Sequence, residues 1–266
     1  TLVDRVNGGL TEDGTRVVER ARRVLNEIDD ITADMTSRHA NVSGQTRLGV
    51  IGTTARWLMP ALLTRMTEDH PNVRTIVQEG STSSLLPNVS SGELNAAIVH
   101  LPIDDPELVV EPLFAEDLLL LVDDAHPLAG NDVLEMSELD ELPLLLPPTG
   151  SALRRVLERS AATHNINLHP QAEIDGARLL ASLAFDGFGA AIVPATAVPA
   201  WLSGSFSRIE VPGLPRRVVA SIRRRRPPAS APTLAALSTL RNVVDEQAEQ
   251  QHGVHLDTAS PLTPRS

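Results

Sequence analysis

Residues Arg47-Leu48-Gly49-Val50-Ile51-Gly52-Thr53-Thr54 decide the reading of this chain, because an apolar run passes there into a glycine turn flanked by hydroxyls. Leu48, Val50 and Ile51 suit a pleated strand, and the segment after Thr54 is an amphipathic helix to about Asp69. The alternation continues outward. Residues 73–78 form a second strand, Ser81-Thr82-Ser83-Ser84 opens a second helix, and Ala96-Ala97-Ile98-Val99 is a third strand. This βαβαβ order implies a parallel sheet with right-handed crossovers. The pattern then recurs: strands at 118–122 and Leu144-Leu145-Leu146, a helix over 151–163, a strand at Ala172-Glu173-Ile174, a helix over 177–185, and a strand at Ala190-Ala191-Ile192-Val193. Two such clusters joined near 116–122 predict two α/β lobes. Residues 218–222 read as a strand leading back to the first lobe, and a last helix runs from Leu234 to about Gln247. The polar tail beyond about Gln250, with its Gly and Pro, is expected to be disordered.

Upstream, Asn7-Gly8 lies between apolar residues Val6 and Leu10, the pattern of a tight hairpin turn. Thr11 reads as a helix N-cap, with Glu12 and Asp13 in the first turn facing the positive helix end. Val17, Ala21, Val24, Ile28, Ile31 and Met35 then fall at steps of 4, 3, 4, 3 and 4, a heptad seam flanked by charges. Such a seam suits a partner helix in a dimer, although an amphipathic helix can also lie on its own domain. Asn41-Val42-Ser43-Gly44-Gln45 breaks the helix and serves as a linker.

Composition narrows the function. The formal net charge is -11, lysine is absent and aromatics are 2%, which argues against a nucleic-acid-binding face or base-stacking platform within these residues. The absence of cysteine removes disulfides, thiolate catalysis and cysteine zinc sites. The eight histidines are scattered; the close pair His252 and His255 flanks Gly253 without a third ligand, so no metal and no cofactor is expected. No apolar run approaches a membrane span and the first residues lack a secretory pattern, from which a cytoplasmic location is expected. No nucleophile elbow, phosphate loop or dinucleotide loop after a strand occurs, and Gly187-Phe188-Gly189 precedes a strand, so the chain is expected not to be an enzyme. The run Arg223-Arg224-Arg225-Arg226 reads as a strand end entering Pro227-Pro228 rather than a nucleic-acid patch.

From residue 1 to about 250 the sequence resembles the LysR-type transcriptional regulators. Leu10-Thr11-Glu12-Asp13-Gly14 looks like the end of the family's winged helix-turn-helix and the start of its linker helix, and Arg47-Leu48-Gly49-Val50 like the opening of its effector domain. Gly92-Glu93-Leu94-Asn95-Ala96-Ala97-Ile98 is similar to the family's G-x-L-D-x-x-I segment, with Asn95 where Asp is usual. His126-Pro127-Leu128-Ala129 and Gly187-Phe188-Gly189-Ala190-Ala191-Ile192-Val193-Pro194 resemble two further family segments. The resemblance implies a two-lobed, periplasmic-binding-protein-like effector domain after a long dimerisation helix. Its expected divisions are a wing remnant (1–10), the linker helix (11–40), subdomain I (46–117 and 220–250), subdomain II (118–219) and a disordered tail (251–266). It further implies a homodimer or homotetramer that reaches a DNA operator only through a recognition helix expected to lie before residue 1.

In such a fold the effector sits between lobes, where strand C-termini and helix N-termini converge and favour small anions. Thr53 and Thr54 stand at one such junction and Ser81 and Thr82 at the next, each open to reading as a helix cap or an effector contact. His100 and Leu101 end the third strand on the expected cleft floor; His100 is either a structural group or a pH-gated contact. In the second lobe Gly176, Ala177 and Arg178 begin a helix that the family closes over its ligand. Arg56, Arg154 and Arg178 are candidate carboxylate forks, each also readable as a solvated helix arginine. The competing reading is a cytoplasmic solute-binding protein of the same two-lobed fold with no DNA role.

Overall fold

The computed structural model describes residues 1–4, 7–36 and 42–258. At the start, Val3 bridges Leu10 and the Asp4 N–H donates to the Gly9 carbonyl at 2.8 Å, a hairpin whose turn uses Gly8 at φ +66°. Val6 of the expected turn and Asn41 of the expected linker lie outside the described residues. Thr11 caps the first helix, α1 (Glu12–Thr36): its Oγ1 accepts from the Gly14 N–H at 3.0 Å.

The first lobe is a six-stranded sheet whose order follows from the βαβαβ pattern. β1 (Gly44–Ile51), α2 (Gly52–Asp69), β2 (Val73–Gly80), α3 (Thr82–Ser91) and β3 (Ala96–His100) place β1 in the middle, with β2 and β3 parallel on either side. β4 (Leu108–Glu116) then leads out through β5 (Leu118–Asp123) into the second lobe. That lobe repeats the arrangement with β6 (Pro143–Leu146), α4 (Ala152–Thr163), β7 (His169–Glu173), α5 (Ala177–Phe185), β8 (Ala190–Pro194) and β9 (Phe206–Glu210), in the order β7-β6-β8-β5-β9. β10 (Arg217–Arg224) returns to the first lobe between β3 and β4, antiparallel to both, and α6 (Ala231–Ala248) covers that lobe. The chain therefore crosses between sheets twice, at Asp117 and between β9 and β10.

Several expectations are revised. The lobe boundary expected after residue 219 falls earlier, because Arg217 already pairs with Glu116 in the first lobe's sheet. Sequence reasoning missed β4 because Pro112 interrupts its apolar pattern; lacking an N–H, Pro sits where the β4–β10 register shifts. The tail expected to be disordered from 251 instead buries Gln251 and forms β11 (Val254–His255) on the edge of β4; residues 259–266 lie outside the described residues.

Each lobe has its own core. In the first, Leu58, Leu62, Leu85, Ile98, Ile222 and Leu240 are fully buried around Phe114, which meets Trp57 edge to face at 5.1 Å. In the second, the two sheet faces bury separate clusters, one around Leu120, Leu139 and Ile192 and one around Leu121, Leu180 and Val193.

Helix α1 lies on the first lobe, but not by its seam. Its inward stripe is polar and small: Asn26 Nδ2 donates to the Gly92 carbonyl at 3.2 Å, Asp34 accepts from the Ala231 N–H at 2.8 Å, and Ala33 is buried against Gly44. Between them Asp30 accepts from Asn95 Nδ2 at 3.1 Å, while Asn95 Oδ1 accepts from the Arg47 N–H at 2.8 Å. Burial pushes the Asp30 carboxyl above its ordinary value, and the charge of Glu27 adds to this. The Asn95 amide suits this place because it supplies an acceptor to the Arg47 N–H and a donor to Asp30. A carboxylate there would face Asp30 across a hydrogen-bond distance. Replacing Asn95 with Asp should therefore loosen α1, by about 1–3 kcal/mol. Since two such carboxylates must share a proton, the deficit should be full at neutral pH and shrink as pH falls towards about 4. Amide exchange in residues 26–34, followed at both pH values, checks it.

Candidate functional site

The strand register brings the predicted residues of the first lobe to one edge. Ile51 pairs with Gly80 and Val50 with Ile98, so Gly52-Thr53, Ser81-Thr82 and His100 all stand at the C-terminal ends of adjacent parallel strands. Thr53 and Thr54 are buried in the first turn of α2. Neither caps it: the N-cap position is Ile51, without a side-chain hydrogen bond, and Thr54 Oγ1 is buried with no hydrogen-bond partner. Ser81 does cap α3, its Oγ accepting from the Ser84 N–H at 3.2 Å. Thr82 Oγ1 accepts from the His100 N–H at 3.1 Å, which stitches the start of α3 to the end of β3. Leu101 follows, its N–H held by the Val218 carbonyl at 2.9 Å.

His100 is not poised to titrate near neutrality. Its Nδ1 is buried without a partner, and burial, aided by the charge of Arg217, pushes its pKa well below 6.5. The ring is therefore neutral, which revises the expectation of a pH gate.

The opposing wall comes from α5. Gly176 precedes it with φ +100°, a conformation that would strain any L residue, and this lets the chain turn sharply into Ala177 and Arg178. Arg178 Nη1 reaches across to Glu79 Oε2 of β2 at 3.1 Å, directly over Gly52, whose missing Cβ would lie 2.9 Å from Glu79 Oε1. The two walls thus meet at their mouth through an ion pair that is about half exposed on both sides. The other candidate forks do not face this gap freely. Arg154 is buried and engaged by Glu158, Glu173 and the Pro147 carbonyl, so it is neither a free fork nor a solvated helix arginine. Arg56 stacks over the Trp201 ring at 5.1 Å. An open groove of about 480 Å³ lies between α2, the end of α6 and Ala200-Trp201, and none of the predicted effector residues lines it.

Sequence reasoning missed the residues that hold the lobes at their hinge. Glu116 is fully buried; it takes Arg217 Nη2 at 2.6 Å and accepts from the Thr196 N–H at 3.1 Å and Thr196 Oγ1 at 2.7 Å. Asp117 beside it takes Arg216 Nε at 2.7 Å and His255 Nε2 at 2.7 Å. The signal was present: an acidic doublet closing one apolar strand and an arginine doublet opening another. The arginine run further along is also absorbed by the fold, with Arg223 on Glu111, Arg224 on Glu27, and Arg225 on the Pro106 and Leu108 carbonyls.

Two sheets of matching topology, joined by two crossings and facing each other through strand ends and helix starts, define a two-lobed ligand-binding domain of the periplasmic-binding-protein type. Residues 39–245 match the LysR substrate binding domain, and the chain belongs to that family. A probable hydrogen peroxide-inducible genes activator of Streptomyces viridosporus is 31% identical over 201 residues, covering 74% of this chain and 64% of that protein. The chain thus spans less than two thirds of that relative's length. A full-length OxyR variant from Pseudomonas aeruginosa superposes with a TM-score of 0.70 at 22% identity, over 97% of this chain and 83% of that one. The effector binding domain of QuiR in complex with shikimate superposes with a TM-score of 0.66 at 18% identity, over 77% and 98%. Both likenesses are of fold.

The neutral state of His100 has a measurable consequence. Because its folded pKa is depressed, the unfolded chain binds the extra proton first, so stability is full above about pH 6.5 and declines below it. The decline has a limiting slope of roughly 1.4 kcal/mol per pH unit from this group. Urea unfolding at about pH 7.5, 6.5 and 5.5 should show this slope, and His100→Gln should remove it.

Proposed function

We propose that this chain is the effector-sensing and dimerising portion of a LysR-type transcriptional regulator, which takes a small, anionic molecule between its lobes. The observation that carries the reading is the placement of Thr53, Ser81 and His100 at the ends of adjacent strands on one wall, with Gly176–Arg178 on the other reaching across through the Arg178–Glu79 pair. A guest carboxylate can take over Arg178 from Glu79, because an exposed ion pair of this kind is worth only about 0–1 kcal/mol. The starts of α2 and α5 present the positive ends of their helices, and Thr54 Oγ1 and His100 Nδ1 are buried polar atoms without a hydrogen-bond partner.

The relative from Streptomyces is named for a response to hydrogen peroxide. These 266 residues contain no cysteine, so a signal read here is read by occupancy and not by thiol oxidation.

Helix α1 supplies the means of dimerising. Val17, Val24, Ile28, Ile31 and Met35 are 46–60% exposed although the helix is docked by its opposite stripe, and an apolar seam left outward in this way fits the same seam of a second copy. DNA contact belongs to the whole regulator, through its operator-binding domain. A free solute-binding protein has no use for this helix, which is why the regulator is preferred.

A thermal-shift screen of small carboxylates tests the reading. A ligand at about a hundred times its Kd should stabilise the chain by about 2.7 kcal/mol. Thr53→Ala and Ser81→Ala should each reduce that shift, and Arg178→Ala should abolish it for carboxylates. A ligand whose shift survives all three binds elsewhere.

A further inference from the structure

We propose that residues 251–255 form a strap across the hinge, a third connection between the lobes that sets how far they open. The segment leaves α6 in the first lobe and immediately buries Gln251, which is 3% exposed. Its Nε2 donates to the Ala195 and Val198 carbonyls, both at 3.1 Å, and its Oε1 accepts from the Ala200 N–H at 2.9 Å. All three partners lie in the turn after β8, in the second lobe. The chain then comes back: the Gly253 carbonyl accepts from the Asp117 N–H at 2.8 Å at the first crossing point, and β11 adds to the edge of β4. His255 Nε2 lies 2.7 Å from Asp117 Oδ2, whose other oxygen takes Arg216 of the second crossing. The approach is close. Gly253 has φ +71°, and a Cβ there would stand 2.9 Å from the Ala195 Cβ.

Two crossing strands, joined at one point by the Glu116–Thr196 bonds, still leave a pair of lobes some freedom to bend about them. Gln251 removes much of that freedom, since swinging the second lobe away would strand both its amide donors and its oxygen in a buried place, each at the cost of an unmade hydrogen bond. The contact at the mouth of the gap cannot do this, because Arg178 and Glu79 are half exposed and exchange readily with water. The strap thus adds to the Glu116–Thr196 bonds in limiting opening from the hinge side. It concerns the chain without any ligand and does not depend on the effector reading.

The chain has no cysteine, so cysteines introduced at Ser90 on α3 and Arg159 on α4, both exposed, take spin labels at those two places alone. Pulsed dipolar spectroscopy on labelled chain diluted into unlabelled chain then reads the distance between lobes. Gln251→Ala, and a chain ending at residue 250, should both move the distribution to longer distance and broaden it, with the larger change in the shortened chain. Gln251→Glu keeps the size but sets a carboxylate against two carbonyls, and should open the lobes as well. Circular dichroism establishes that each variant is folded; if the shortened chain is not, the two point variants decide. An unchanged distribution in folded Gln251→Ala and Gln251→Glu overturns the proposal.

Discussion

The carboxylate of Glu116, wholly removed from water, is the constraint on which the arrangement of the two lobes depends. A buried charge is tolerated only when paired and fully hydrogen-bonded, and Glu116 satisfies both conditions by reaching three parts of the chain at once. It ends β4, which leaves the first lobe; it faces Arg217, which begins the returning strand; and it caps the Thr196 turn of the second lobe. Removing either ion would leave the other buried and uncompensated, at a cost of about 3–5 kcal/mol. Asp117, Arg216 and His255 repeat the pattern beside it in a more exposed setting. The hinge is therefore a polar, directional joint between two apolar cores, and directional bonds fix an angle where apolar packing alone would allow sliding.

From that joint the site follows. With the crossings fixed, the end of β2 meets the first turn of α5 through Glu79 and Arg178, and the ends of β1 and β3 lie beside it in the same sheet. A guest that engages both walls favours the closed arrangement by its differential affinity alone, and that bias is what a regulator transmits. Asn26, Asp30 and Asp34 seat α1 on Gly92, Asn95 and the start of α6, so the helix rides with the first lobe.

Much of this was legible in the sequence because it rests on periodicity. Strand and helix alternation placed the starts of α3, α4 and α5 within a residue, with α2 beginning three residues earlier than expected, and the steps of 3 and 4 in α1 marked a seam that the fold leaves outward. Local rules failed where a long-range partner decided the outcome. Gln251 lies in a polar stretch that reads as disorder, yet three backbone groups some fifty residues away order it. His100 reads equally as a structural group or a titrating contact because its reference pKa is near neutral, and burial, which lowers that pKa, is not visible in the sequence. Arg154 has the spacing of a solvated helix residue, but Glu158 and Glu173 hold it inside.

The central claim is that one guest bridges both lobes. Hydrogen–deuterium exchange of the chain, with and without a ligand that stabilises it, measures this at backbone resolution. The account predicts simultaneous protection of the amides around Thr53, Ser81 and His100 in the first lobe and Gly176–Arg178 in the second. Protection confined to a single lobe, or to the groove beside Trp201, would contradict it.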